Sequence, residues 1–141
     1  MKSKPVVMEH YNKIHTNYVV DFVFTTNITI LTGDSGQGKT AVFSFFEEDA
    51  AKNPRLLCYN YLDYQKNIFE EIKSSEGKLI VIDNADLLLT DELRKYISLD
   101  GKNQYLIIGR DPRNLFATRD NIFELVSKKE EEKVFFKIEA F

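Results

Sequence analysis

The stretch from Gly33 to Thr40, GDSGQGKT, constrains this chain more than any other part of its sequence. Glycines let a backbone turn tightly, so successive N–H groups can point into one concavity. A β-branched run at residues 28–32 precedes the stretch, and a helix-compatible segment follows it at about residues 39–51. A helix that begins at such a loop turns its N–H groups and the positive end of its dipole toward an anion. The stretch therefore predicts a phosphate-binding loop between a strand and a helix.

The residue types match the chemistry of such a loop, in the pattern G-x-x-x-x-G-K-[ST]. We expect Lys39 to bridge the β- and γ-phosphates as a point charge and the Thr40 hydroxyl to ligate Mg²⁺. The alternative is a glycine turn that carries Lys and Thr by coincidence, and the flanking strand and helix argue against it. The residues predicted to bind a nucleotide are Gly33, Asp34, Ser35, Gly36, Gln37, Gly38, Lys39, Thr40 and Ala41.

A second feature is the acid that follows the apolar run at residues 79–82. Continuous apolar strands are typical of parallel sheets that are buried on both faces. An acid at the carboxyl end of such a strand can hold a Mg²⁺ water beside the phosphate loop. The position thus predicts that Asp83 is the second metal residue, and the alternative is that Asp83 only caps the turn at residues 83–86.

The rest of the chain alternates strand patterns with helix patterns. The predicted strands are residues 18–24, 28–32, 56–59, 79–82, 105–108, 122–127 and 133–139, and the predicted helices are 39–51, 64–75 with Asp63 as its cap, and one capped by Thr90. This alternation favours right-handed crossovers and a mostly parallel sheet in an α/β fold. Because the two ends lack crossover helices, we expect antiparallel edge strands at both termini. Residues 1–141 are predicted to form a single domain.

Composition excludes several classes of protein. The 141 residues carry a net charge of −3, which is not typical of strong non-specific nucleic-acid binding. The single cysteine, Cys58, cannot form an internal disulfide, and two histidines do not complete a metal cage. The apolar stretch near the N-terminus is too short for a signal peptide, and the run at residues 79–82 is too short to span a bilayer. These features predict a soluble protein of a reducing, cytoplasmic setting, without membrane partners.

The two motifs together resemble the P-loop NTPase superfamily, with Gly33–Thr40 similar to Walker A and residues 79–83 similar to Walker B. A complete strand–helix unit lies between them, as in the ASCE division, which includes RecA-like and AAA ATPases. That resemblance implies a three-layer fold with a core strand order 5-1-4-3-2, and it implies ATP and Mg²⁺ as cofactors. The family often has a polar sensor residue at the end of its fourth strand, where this chain has Arg110. The N-K-x-D motif, with which GTPases recognise guanine, is missing from the sequence, so we expect an adenine nucleotide.

Two departures from the family pattern limit the predicted activity. Asn84 follows Asp83 where the division usually has glutamate, and an amide cannot take a proton from water at neutral pH. Asp86 and Asp63 are candidate replacements for that base, although each is as readily explained as a solvated turn carboxylate. The chain also lacks room for the lid of an AAA motor. Its layout looks similar to small single-domain ATP-binding proteins of bacterial mobile elements and phages.

The leading hypothesis is therefore an Mg-dependent ATP-binding protein, a weak ATPase that acts as a nucleotide-dependent switch or regulator. It would meet a protein partner or a second copy of the chain at the nucleotide rim, where Arg110 or Arg119 could complete a neighbouring site. The first alternative is a non-catalytic protein-binding module on the same scaffold, such as a mobile-element regulator or an antagonist of host machinery. The second is a small nucleotide kinase, for which the chain is short of a lid and an acceptor site.

Overall fold

In the computed structural model, the chain is described at residues 4–32, 38–109 and 119–140, with Arg119 described by its backbone alone. The strands are β1 (His10–His15), β2 (Tyr18–Val23), β3 (Ile28–Thr32), β4 (Leu56–Tyr59), β5 (Leu79–Ile82), β6 (Gln104–Ile108), β7 (Ile122–Glu130) and β8 (Lys133–Ala140). The helices are α1 (Lys39–Ala50), α2 (Ile68–Lys73), α3 (Ala85–Leu88) and α4 (Asp91–Leu99), with short 3₁₀ turns at Tyr61–Asp63 and Arg119–Asn121.

The strands form one mixed sheet in the order β1-β2-β8-β7-β3-β6-β5-β4. From β7 to β4 every neighbouring pair is parallel. The hairpins β1–β2 and β7–β8 are antiparallel, and β2 joins β8 in parallel. The alternation of helices and strands predicted from the sequence is thus confirmed as an α/β fold.

The central strands are buried on both faces, as their continuous apolar sequence predicts. All residues of β3, β5 and β6 are buried. Because side chains alternate across a strand, each of these strands supplies two separate cores. In β5, for example, Leu79 and Val81 face one core while Ile80 and Ile82 face the other. A fully buried side chain of this size stabilises the fold by about 1.5–3 kcal/mol relative to an exposed one.

The two cores differ in composition. The first, here called the aromatic core, lies between the sheet and α1 and includes Phe22, Phe24, Phe43, Phe46, Phe123 and Phe136. The second, here called the aliphatic core, lies between the sheet and α2, α3 and α4. It includes Ile28, Ile30, Ile68, Ile72, Ile80, Ile82, Ile97 and Ile107. Helices therefore cover both faces of the central sheet, with α1 alone on the aromatic side.

The prediction of an antiparallel edge strand at each terminus needs correction. The N-terminal hairpin does provide one edge, at β1, but β8 lies inside the sheet between β7 and β2. The opposite edge is β4, which is parallel to its neighbour β5. β8 is interior because it pairs on both sides, with Ser127 of β7 and Val20 of β2 both opposite Phe136. The strand β1, whose sequence is mostly polar, was not predicted.

The helix predicted for residues 64–75 is shorter in the structure and begins elsewhere. Its start is Ile68, and the Asn67 side chain caps it by accepting a hydrogen bond from the Glu70 N–H. Asp63 instead belongs to the 3₁₀ turn, where its carboxylate bonds back to the N–H of Asn60 in a capping box. The Thr90 cap is confirmed, because its hydroxyl accepts from the Leu93 N–H at 3.2 Å.

Candidate functional site

The candidate residues gather at one rim of the sheet. Because β3, β4, β5 and β6 are parallel, their carboxyl ends all open onto the same edge. The glycine-rich stretch follows β3, Asn60 follows β4, Asp83 follows β5 and Gly109 follows β6. Open α/β sheets bind ligands in the crevice outside the carboxyl ends of their strands.

The start of α1 carries the part of the glycine-rich stretch that the structure describes, Gly38 to Ala41; Gly33, Asp34, Ser35, Gly36 and Gln37 lie outside the described residues. Gly38 has a φ of 94°, a left-handed conformation that favours glycine. Its carbonyl accepts the Val42 N–H at 2.9 Å, the first bond of the helix. Lys39 is partly buried and Thr40 is exposed in the first turn. A cation and a hydroxyl therefore stand at the N-terminus of the helix.

Asp83 stands at the carboxyl end of β5. Its backbone N–H donates to the Tyr59 carbonyl at 2.9 Å, which continues the pairing of β5 with β4. Its carboxylate Oδ1 accepts the Asn84 N–H at 2.8 Å, so Asp83 does cap the turn that follows it. Burial raises the pKa of Asp83, while the Asn84 N–H and the positive charge of Lys39 act in the opposite direction. The charge of Lys39 thus reaches Asp83, and the fold brings the two candidate motifs together.

Asn84 adopts a left-handed conformation, with φ of 53° and ψ of 42°. Its side-chain oxygen accepts the Tyr61 N–H at 3.4 Å, which links the end of β5 to the turn after β4. Its carbonyl accepts the N–H groups of Leu87 and Leu88, which starts α3. Asparagine tolerates this backbone region better than most residues, and that is a structural reason for its presence here.

Asp86 reaches the end of the next strand. Its Oδ1 lies 3.2 Å from the point where a Cβ on Gly109 would be, so Asp86 packs against the backbone that ends β6. A side chain at position 109 would press on this carboxylate. Asp86 is itself exposed, which keeps it accessible at the rim. Arg110, the predicted sensor, lies outside the described residues, as does the side chain of Arg119.

Asp63 has a local structural role. Its Oδ2 accepts the Asn60 N–H at 2.9 Å, and its Oδ1 pairs with Lys66 Nζ at 2.8 Å. Burial acts to raise the pKa of Asp63, but the bonds from Lys66 and Asn60 outweigh it and hold the pKa below its usual value. A carboxylate with a lowered pKa and two local partners is a weak proton acceptor. Of the two candidate bases, the geometry favours Asp86.

Sequence reasoning missed the role of Phe136 in this region, and it did not foresee that Gly109 faces Asp86. Gly109 faces Asp86, and the ring of Phe136 lies beneath Gly38, with Cε1 at 2.8 Å from the point where a Cβ would be. Alternation along β8 indicates which of its residues are buried, but it carries no signal for which loop a buried ring will touch.

A Mg²⁺ ion at this rim would have Thr40 and Asp83 as its candidate protein ligands. Among the described residues, no group of three or more His, Cys, Asp or Glu side chains comes together to hold a metal. A Mg²⁺ ion bound with a nucleotide does not need one, because phosphates and waters supply most of its ligands. The half-buried carboxylate of Asp83, on whose pKa the positive charge of Lys39 acts, is compatible with such an ion.

An open groove of about 560 Å³ lies elsewhere, between α2 and α4. Phe69, Tyr96, Leu99 and Lys102 are among its lining residues. The loop that contributes Lys102 leads into the amino end of β6, so the groove belongs to the rim opposite the candidate site. The rings of Phe69 and Tyr96 pack at 5.6 Å and make its floor largely apolar. The groove also has charged lining residues, Glu92, Lys95 and Lys102 among them. The glycine-rich stretch and the half-buried Asp83, however, are at the other rim, which is therefore the better candidate site.

Two further findings bear on the class of protein. No helix in the described part of the chain is both long and apolar enough to cross a bilayer. No protein-family model matches this chain, and no curated protein matches it either.

Proposed function

We propose that this chain is an Mg-dependent ATP-binding protein of the P-loop type, a weak ATPase that works as a nucleotide-dependent switch. The observation that carries the proposal is that both motifs follow strands, β3 and β5, whose carboxyl ends lie at the same rim of the sheet. Lys39 begins the helix after the glycine-rich stretch, Asp83 follows the last residue of β5, and the charge of Lys39 acts on the Asp83 carboxylate. A phosphate group needs a cation and a metal ligand within one such crevice.

The strand order supports the three-layer fold that the resemblance implies. Counted from β3 along the chain, the central strands β3 to β7 are strands 1 to 5, and their order in the sheet, β7-β3-β6-β5-β4, reads 5-1-4-3-2. Helices on both faces of these strands give the layers that such a fold requires. This is the order of the ASCE division.

The roles of the residues follow from their positions. The first N–H groups of α1 face the phosphates together with the positive end of the helix dipole. Lys39 would neutralise a phosphate charge, and Thr40 and Asp83 would hold the ion. The bound Mg²⁺ supplies charge neutralisation to the phosphate oxygens. The residues of the chain supply position: α1 and β5 are both anchored in the cores, so Lys39 and Asp83 approach the nucleotide without reorganisation.

Slow hydrolysis follows from the side chain at position 84. An amide can orient a water molecule but cannot take its proton, and the Asn84 oxygen already accepts the Tyr61 N–H. Asp86 is an exposed acid at the same rim, and it lies against Gly109. P-loop enzymes that lack part of their catalytic machinery turn over at only about 10⁻⁴ s⁻¹, and we expect a rate of that order here.

A partner surface beside the site supports the switch. The exposed large apolar side chains include Tyr61, Leu62 and Tyr64 after β4, and Leu87 on α3. The bond between the Tyr61 N–H and Asn84 ties these two segments together. Exposed Tyr and Leu clustered at one edge are typical of protein interaction sites. Nucleotide bound at Asp83 would order the adjacent turn and so change this surface.

The same surface favours the second candidate function, a protein-binding module in which the nucleotide is absent or structural. Leu87→Ser and Leu99→Ser distinguish the rim from the rest of the surface, because both leucines are highly exposed but only Leu87 is at the rim. If the rim is the interface, Leu87→Ser abolishes self-association or partner binding and Leu99→Ser does not. Nucleotide sensitivity of that binding supports the switch, and its absence supports the module.

Calorimetric titration with Mg-ATP tests the nucleotide site itself. Lys39→Ala should weaken ATP affinity by at least about tenfold, because a phosphate charge loses its partner in a desolvated crevice. Lys52→Ala is the matched control, since it removes an exposed lysine just beyond the other end of α1. Equal affinity of the wild type and Lys39→Ala for ATP would end the assignment. A strong preference for GTP would contradict the choice of adenine nucleotide.

Hydrogen exchange with and without Mg-ATP tests the switch. We expect protection in three segments together, residues 33–40, 83–86 and 109–113, because a γ-phosphate and its ion can tie them to one another. Protection limited to residues 33–40, with no nucleotide effect on association, would favour the binding module instead.

A further inference from the structure

The start of α1 rests on a side chain from the far end of the sequence. Phe136 of β8 is 6% exposed, and its ring lies directly under Gly38. From the point where a Cβ on Gly38 would be, Phe136 Cε1 is 2.8 Å away, Phe136 Cζ 3.4 Å and Leu125 Cδ2 3.7 Å. A Cβ at position 38 would require this ring to shift, and the φ of 94° at Gly38 favours glycine for a second, independent reason.

Phe136 belongs to a cluster of rings that joins the terminal strands to α1. Its ring stacks on Tyr18 of β2, with centroids at 6.0 Å and planes at 17°, and it meets Phe45 of α1 at 6.4 Å. Phe45 also contacts Tyr18 at 5.5 Å and stacks on His15 of β1 at 4.6 Å. The ring of Phe136 therefore contacts β2 and α1 directly, and β1 supports this cluster through Phe45.

We infer that Phe136 is a positioning residue for Gly38 and the start of α1, and that the terminal strands set the geometry with which the start of α1 meets a nucleotide. This inference rests on the proposed function and adds a regulator of the same site. The N–H groups of a phosphate loop bind tightly only when they converge on one point, which requires Gly38 to keep its left-handed conformation. The ring of Phe136 is the surface that Gly38 packs against, so it limits how far the start of the helix can move.

Phe136→Leu tests the inference by removing the ring while keeping an apolar side chain. The matched control is Phe24→Leu, which makes the same change at a residue of the same aromatic core whose ring contact is with Phe22, at 6.2 Å. We expect similar losses of stability from the two variants in urea denaturation. Mg-ATP affinity, measured by calorimetry where both variants are folded by near-ultraviolet circular dichroism, should fall about tenfold in Phe136→Leu alone.

Tyr18→Leu provides a second, milder variant. It removes the ring that stacks on Phe136 and leaves Phe136 itself in place. We expect a smaller loss of ATP affinity than in Phe136→Leu. If Phe136→Leu does not fold, Tyr18→Leu is the variant that tests the inference. Unchanged affinity in Tyr18→Leu then overturns the inference.

The outcomes separate the inference from the proposed function. If the wild type binds Mg-ATP and Phe136→Leu binds it as tightly as Phe24→Leu does, the inference is overturned and the proposed function stands. If the wild type binds no nucleotide, the proposed function is overturned and the inference with it. A selective loss of affinity in Phe136→Leu supports both.

Discussion

The last turn of α1 and the carboxyl end of β5 each remove a carboxylate from water, Asp49 and Asp83, but the two carboxylates have different surroundings. Asp49 of α1 is 5% exposed and has partners on several sides. It accepts the Tyr11 hydroxyl at 2.9 Å and the Asn53 amide at 3.4 Å, and Lys13 Nζ lies at 3.4 Å. Burial acts to raise the pKa of Asp49, but these bonds outweigh it and lower the pKa below its usual value.

Asp83 shows the opposite balance. Burial dominates and raises the pKa of Asp83, and the Asn84 N–H and the charge of Lys39 do not offset it. A carboxylate that stabilises a fold is surrounded by donors, as Asp49 is. A partly desolvated carboxylate with an unfavourable charge is typical of a site that awaits a charged ligand. The contrast indicates a structural role for Asp49 and agrees with the functional role that we propose for Asp83, and four experiments test it.

The largest change in stability should come from Asp49→Asn. An amide NH₂ in place of one carboxylate oxygen turns a donor toward Lys13 or Asn53, so bonds to a buried charge are lost. We expect the free energy of unfolding at pH 7 to fall by about 1–3 kcal/mol. Urea denaturation measures it. Glu130→Gln, at an exposed end of β7, is the control and should change stability by less than about 0.5 kcal/mol.

The next largest effect should come from Asn84→Glu. The left-handed backbone at φ 53° suits asparagine better than glutamate, and the bond from the Tyr61 N–H is disturbed. We expect a loss of about 1 kcal/mol in stability. ATP turnover should nevertheless rise, because a carboxylate can accept the proton of an attacking water.

Asn84→Gln is the control for that variant, since it brings the same backbone strain and side-chain length without a base. Phosphate release measures turnover in both. If the two variants hydrolyse ATP at the same rate, position 84 is not the reason for slow hydrolysis. Release above about 1 s⁻¹ by the wild type alone would show that a base is already in place, because uncompleted P-loop sites are far slower.

Asp83→Asn should change stability by a smaller amount and should increase it, whereas the two preceding substitutions decrease it. The amide oxygen can still accept the Asn84 N–H, while the cost of burying a charge disappears. We expect the free energy of unfolding without nucleotide to rise at pH 7 by about 0.5–1 kcal/mol. Such a gain is typical of substitutions that remove an unfavourable charge from a functional site. The Mg²⁺ dependence of ATP binding should be lost. A destabilised Asp83→Asn variant would place Asp83 with Asp49 as a structural carboxylate.

The smallest and most diagnostic effect concerns pH. The folded-state pKa of Asp49 is lowered, so its stabilisation is present above the unfolded pKa of about 3.9 and is lost as pH falls through the folded pKa. Stability measured from pH 6 downward should therefore drop less steeply in Asp49→Asn than in the wild type. The pKa of Asp83 is raised, so the wild type loses stability as pH rises through the folded-state pKa of Asp83. The free energy of unfolding of Asp83→Asn should therefore exceed that of the wild type only above this pH. If stability depends on pH in the same way in Asp49→Asn and Asp83→Asn, the two carboxylates do not differ as we propose.

Local patterns were sufficient for much of the fold. The strands at residues 56–59 and 79–82 were predicted with the bounds that the structure has, and so was the cap at Thr90. Runs of apolar residues and capping side chains act within a few positions of one another, so the sequence displays them directly. The start of α2 was misplaced because two asparagines, Asn60 and Asn67, each cap a separate short element.

The sequence by itself determined that a glycine-rich loop joins a strand to a helix, that an acid ends a buried strand, and that strands and helices alternate. Each depends on residue types at fixed short spacing. Only the tertiary structure decided that β8 lies between β7 and β2, that Phe136 supports Gly38, and that Asn84 binds the turn at Tyr61. These contacts join distant segments through strand pairing, whose register depends on which faces the whole sheet can bury.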